Sequence, residues 1–173
     1  FIKNIQADQT SHFHQKIFGT PKGRAVGTLY FRWFNTRITT LSPRSCGGIE
    51  TAVACVMPIF MGPHEMGVTK NYITVSSPQV ARISILFHEA RHTERNDPAP
   101  GAKDERYWLH AQCPTPFLDE TGNERMSIWT GAPLAGKEGC DTNPLGAYGV
   151  ASILLKNIAQ NCRNCSEKEK ADA

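Results

Sequence analysis

Apolar and polar positions alternate in short runs through the first half of the chain, and in the second half apolar residues recur at helical spacing. Residues 26–34 are dense in aromatic and β-branched side chains. Val26, Thr28, Tyr30, Arg32 and Phe34 fall on one alternating face, with Leu29, Phe31 and Trp33 on the other, a pattern that predicts a strand. Asn35-Thr36 would turn it toward a second short strand over residues 37–41. Gly47-Gly48 breaks the chain before the apolar run 49–61, which Gly62-Pro63 ends, and residues 68–75 read as a further strand. Residues 1–20 carry His12 and His14 without a strong period and receive no assignment.

The second half opens on a well-marked helix. Ser77 can cap it, Pro78 suits its first turn, and Val80, Ile83, Phe87 and Ala90 follow at steps of three and four. The pattern runs to about residue 95, where Asn96-Asp97-Pro98 stops it. Residues 96–142 are rich in turn formers and poor in periodicity, and so long an irregular stretch is normally functional or tied down. A last helix is expected from near Asn143, with Pro144 in its first turn. It would run through Leu145, Tyr148, Ser152, Leu155 and Ile158 to about Cys162, leaving residues 166–173 as a frayed, charged tail. Strands followed by helices, without a repeat or a dividing linker, predict a single α+β domain over residues 1–173.

Composition narrows this picture. The 173 residues carry 19 basic and 16 acidic side chains, a net charge of +3 that gives no reason to expect a nucleic-acid partner. Residues 1–87 hold nine basic and three acidic side chains and residues 88–173 ten and thirteen, so the excess positive charge sits in the strand half. No apolar run approaches the roughly 18 residues that span a bilayer. The start at Phe1 and the even count of six cysteines together suggest a processed, secreted or periplasmic protein. Pairing neighbours would join Cys46 to Cys55, Cys113 to Cys140 and Cys162 to Cys165, one of fifteen possible pairings. The Cys162–Cys165 pair lies at the end of a helical pattern, which favours a stapled helix end over redox chemistry.

The chemistry is concentrated in His88-Glu89-Ala90-Arg91-His92, an H-E-x-x-H on the strongest helix. Positions four apart lie one turn along the same face, so His88 and His92 can bind one ion. Glu89 stands beside that ion, where a carboxylate can take a proton from a bound water. A solvated face with Glu89 paired to a neighbouring arginine is the competing arrangement. Two other histidine motifs, His12-Phe13-His14 and His64-Glu65-Met66-Gly67-Val68, lack the spacing and read as structural or incidental.

On this motif the chain resembles the zincin metalloproteases. The resemblance implies a twisted, mostly antiparallel sheet packed on the H-E-x-x-H helix, with substrate in the cleft along an edge strand. It also implies a zinc cofactor, His88 and His92 as ligands and Glu89 as general base. Subfamily patterns depart from it. Metzincins would need glycine and histidine where Arg95 and Pro98 stand, and gluzincins a later acidic ligand that residues 144–160 lack. Gly139-Cys140-Asp141-Thr142 followed by Tyr148-Gly149 echoes the aspzincins at too long a spacing.

Catalytic zinc takes three protein ligands and an open position, so a third donor is due from residues 96–142. His110, three residues before Cys113, and Asp141, beside Cys140, are the candidates. Asp141 could instead cap the last helix. Tyr148, flanked by small residues that permit close backbone approach, can serve the oxyanion of peptide hydrolysis or pack in the core. Glu94 or an aspartate can orient a liganding imidazole. The expected function is zinc-dependent cleavage of peptide bonds in a protein or peptide substrate. The alternatives are a zinc amidase acting on cell-wall peptides, or a secreted binding or structural module with a non-catalytic metal site.

Overall fold

A computed structural model describes residues 1–7, 9–21, 25–47, 52–57, 61–62, 64–74, 78–94, 108–127 and 131–173. It is a mixed α+β structure. After a 3-10 turn at Ile2–Asn4, the elements are α1 (His12–Phe18), α2 (Val26–Asn35), β1 (Thr40–Pro43), β2 (Ala54–Cys55), β3 (Glu65–Val68), α3 (Lys70–Thr74), α4 (Gln79–Arg91), β4 (Ala111–Gln112), β5 (Glu138–Cys140), α5 (Ala147–Asn161) and α6 (Glu167–Ala171). The first sheet has the order β1-β3-β2, with β1 parallel and β2 antiparallel to β3. The second is the antiparallel pair β4-β5, which sets Ala111 opposite Cys140. None of the helices described is long and apolar enough to cross a membrane.

The expected strand over residues 26–34 is helix α2. Val26, Tyr30 and Trp33 are four and three steps apart, and as one helical stripe all three enter the core, while Phe31 is left 41% exposed. In a run this apolar, periods of 2 and 3.6 both fit. Burial against the rest of the molecule decides between them. Gly27 shows the packing constraint: its N–H donates to the carbonyl of Ile5, and a Cβ there would lie 2.5 Å from the carbonyl oxygens of Ile2 and Lys3. Only glycine admits the N-terminal turn so close. The strand expected over 37–41 begins three residues later, at Thr40, and that over 68–75 ends at Val68 before α3. The N-terminal stretch that lacks a strong period contains α1, capped by the Ser11 side chain accepting from the His14 N–H.

Helix α4 ends at Arg91, short of the expected 95, with His92 as its C-cap residue in helical conformation. Pro78 is its N-cap; Ser77, Asn96, Asp97 and Pro98 lie outside the described residues. Phe87 stacks on Trp33 at 5.4 Å between centroids and contacts Phe18, Tyr30 and Phe34. Helix α4 packs chiefly along α5, and β2 also touches it. Helix α5 starts at Ala147, later than expected, and buries Val150, Leu154, Asn157 and Ile158. Of the Leu145-Tyr148-Ser152-Leu155-Ile158 line read from the sequence, Ile158 is buried, while Tyr148 and Ser152 are exposed. Asn157 donates to the Tyr30 hydroxyl, which also meets His14 Nε2 at 2.8 Å, so the core closes over a polar trio.

The six cysteines pair as sequence neighbours: Cys46–Cys55, Cys113–Cys140 and Cys162–Cys165. Cys162 is the C-cap of α5, as a stapled helix end requires. The tail expected to fray instead forms α6, whose Ser166 and Glu169 make a reciprocal capping box.

Candidate metal centre

Phe87 is locked among the aromatic rings of the core, which fixes the rotation of α4 about its axis and sends the next residue, His88, toward α5. The C-cap keeps helical dihedrals, so His92 remains one turn along from His88. The two Nε2 atoms are 3.4 Å apart. His110 arrives from the segment before β4, and its Nε2 lies 3.1 Å from that of His88. Nitrogens bound tetrahedrally to one ion at 2.0–2.1 Å would be about 3.3 Å apart. Among the described residues, His88, His92 and His110 form a group with the reach to hold a metal ion.

The donor chemistry fits a cation. His92 Nδ1 hydrogen-bonds the carbonyl oxygen of Trp108, which can only accept, so Nδ1 carries the proton and Nε2 presents its lone pair to the other rings. His88 Nε2 faces both neighbours, and a single proton there cannot satisfy two partners well. An ion at the convergence satisfies all three nitrogens at once. Burial holds His88 well below the usual imidazole range, with the charges of His92 and His110 adding to it. Burial likewise takes His92 down to about 4. Near neutral pH both rings are therefore in the unprotonated form that metals bind.

Glu89 is partly buried, and loss of solvent around its carboxyl raises it to about 8, opposed by a hydrogen bond from the Val56 backbone just after β2. Among the described residues no arginine pairs with it. Arg91 and Arg37 instead share Glu94, which binds these guanidinium groups rather than orienting an imidazole. Asp141 stands behind His110, with Oδ1 3.8 Å from Nδ1, and its Oδ2 accepts the Gly149 N–H at 2.9 Å. Of the two third-donor candidates, the structure thus brings His110 to the other histidines and sets Asp141 one layer out. His110 Nδ1 is buried without a hydrogen-bond partner, facing that carboxylate.

Tyr148 is 39% exposed and so is not a core tyrosine. Its ring lies 4.4 Å from that of His88 and 4.9 Å from that of His110. Burial of its hydroxyl, reinforced by Asp141 and Glu89, raises its pKa and keeps it a protonated donor. The close approach expected around it is real: a Cβ on Gly149 would lie 1.9 Å from the Pro144 carbonyl oxygen.

The other histidines go elsewhere. His14 is buried against Tyr30, and His64 Nδ1 contacts the Arg37 carbonyl. Sequence reasoning missed the Trp108 carbonyl and the Arg91 side chain, because neither a backbone acceptor nor an ordinary arginine carries a motif. Comparison with protein-family models, curated proteins and solved structures yields no match to this chain.

Proposed function

We propose that the protein is a secreted, zinc-dependent, zincin-like hydrolase that cleaves peptide bonds. His88, His92 and His110 would hold the ion, Glu89 would act as general base and Tyr148 would serve the oxyanion. The observation that carries this reading is the convergence of three imidazole Nε2 atoms, with Glu89 adjacent in the helix and Tyr148 against two of the rings. Three imidazole ligands suit zinc and leave a position open, where the ion would supply Lewis acidity and acidify a water.

Burial raises Glu89 to about 8, and the positive charge of an ion held by the three histidines would bring it back down toward the range in which a carboxylate accepts a proton near neutral pH. A carboxylate so placed takes a proton from the attacking water and returns it to the departing amine. Tyr148 offers a phenol O–H to the negative oxygen that develops on the carbonyl. Asp141, behind His110, favours the orientation and basicity of that ring. A groove of about 800 Å³ opens beside the centre, lined by Phe117, Arg125, Met126, Leu134, Asp141 and Tyr148, with room for a peptide. Three disulfides favour an oxidising compartment, which supports secretion.

Elemental analysis of protein purified without added metal, paired with a peptidase assay of Glu89→Gln, tests the proposal. Stoichiometric zinc is expected in both proteins, with hydrolysis lowered at least a hundredfold in the variant. Zinc-free protein, or a variant that retains activity, would defeat it.

A further inference from the structure

Arg91 occupies the fourth position of H-E-A-R-H and contributes no ligand, yet its guanidinium touches each segment that supplies the centre. Its Cζ sits 4.2 Å above the Trp108 ring centroid. Nε donates to the Leu145 carbonyl at 2.9 Å, and Nη1 pairs with Glu94. The side chain is only 11% exposed. Trp108 is bound in turn: its N–H donates to the Glu94 carbonyl at 3.2 Å, and its own carbonyl accepts from His92 Nδ1. His110 lies two residues further on, and Leu145 three residues before Tyr148.

Glu94 and Trp108 are fourteen positions apart in sequence, and the contacts just described join them. Arg91 supplies a planar face for stacking and a fork of donors for two acceptors, a combination lysine lacks. We propose that Arg91 is a positioning residue of the histidine centre. By clamping Trp108 and Leu145 to the end of α4, it keeps the Trp108 carbonyl on His92 and carries His110 within ligand distance. The inference rests on the metal-centre reading for its purpose, but the hydrogen bond from His92 to the Trp108 carbonyl can be measured separately from metal binding.

The test uses the full chain, with two readouts. Ring 15N shifts in metal-free protein near neutral pH report which nitrogen of His92 carries the proton. Titration with Co2+, followed by its visible absorption, reports affinity. Wild type is expected to show the Nδ1–H form of His92. Arg91→Ala should show a mixture of the two forms and bind Co2+ about 10–100-fold more weakly, the usual consequence of losing an outer partner of a ligand. Arg91→Lys should not restore binding. Arg37 shares Glu94 but stacks on Trp33 rather than Trp108, so Arg37→Ala should bind Co2+ as wild type does.

Should Arg91→Ala fail to fold, Trp108→Leu keeps the backbone carbonyl while removing the stacking face, and should give the same two changes. An unaltered His92 proton position in whichever variant folds, or Co2+ affinity within twofold of wild type, overturns the proposal. Wild type that binds no Co2+ overturns the metal reading instead, and the 15N readout still decides the role of Arg91.

Discussion

A neutral imidazole has one protonated and one bare nitrogen, so whatever faces the first determines where the second can bind. For His92 that group is the Trp108 carbonyl, which accepts its hydrogen bond; His110 Nδ1 makes no hydrogen bond and faces the Asp141 carboxylate at 3.8 Å. This separates the roles of the two third-donor candidates experimentally. His110→Ala should abolish stoichiometric metal, whereas Asp141→Asn should keep the stoichiometry and weaken affinity about 10–100-fold, both read by competition with a chromophoric chelator. Metal lost equally from both would place the carboxylate among the ligands. His14 makes a second residue-scale prediction. It is fully buried, and burial lowers its pKa from 6.5 to about 4. Between those values the unfolded chain binds a proton that the folded chain refuses, so stability falls as pH drops from 6.5 toward 4. The contribution is about 3 kcal/mol. Urea unfolding across that range should show a shallower pH dependence for His14→Gln than for wild type. Equal slopes would mean that His14 takes up its proton in the folded state.

Among the elements, α4 matters most, because its rotation aims both motif histidines. Its anchor is Phe87, stacked on Trp33 and contacting Phe18 and Tyr30. Phe87→Ala should cost about 3–5 kcal/mol of stability, measured by denaturant unfolding. A loss under 1 kcal/mol would show that the ring does not anchor the helix. The motif, the helix and most of its inward stripe were legible in the sequence, since a long amphipathic pattern with a proline start has one good solution: of Val80, Ile83, Phe87 and Ala90 all but the partly buried Ile83 are buried, joined by Ser84 and Ile85. Helix α2 was not. Its residues satisfy strand and helix periods alike, and the aromatic cluster that buries Tyr30 and Trp33 is made with α1 and α4. The face of α5 was misread for a related reason. Tyr148 looks like a core residue by periodicity, while Asn157, a polar side chain, is the one buried against Tyr30.

Across the whole molecule, distant stretches of chain are tied into one frame. The N-terminal segment bridges Ala7 to Cys162, and Asn164 binds both Gln6 and Asn4. Cys113–Cys140 closes a separation of 27 residues and flanks β4-β5, whose pairing sets His110 near Asp141. Opening that bridge in the Cys113→Ser, Cys140→Ser double variant should cost about 3.5 kcal/mol on loop-entropy grounds. Because His110 lies just outside the bridge, metal affinity should fall as well. A variant as stable and as tightly metal-binding as wild type would remove the bridge from any role at the centre. The sequence by itself determined the motif, the helix under it, an even set of six cysteines with neighbour pairing as one of fifteen arrangements, and two named choices for a third donor. All of these depend on spacings within about one or two turns of chain or on counting residue types. Only the tertiary structure decided between His110 and Asp141 for the inner position, freed Tyr148 from the core and revealed the Trp108 carbonyl and Arg91. Each of these depends on segments far apart in sequence meeting at distances of a few ångströms, and local periodicity carries no information about such meetings.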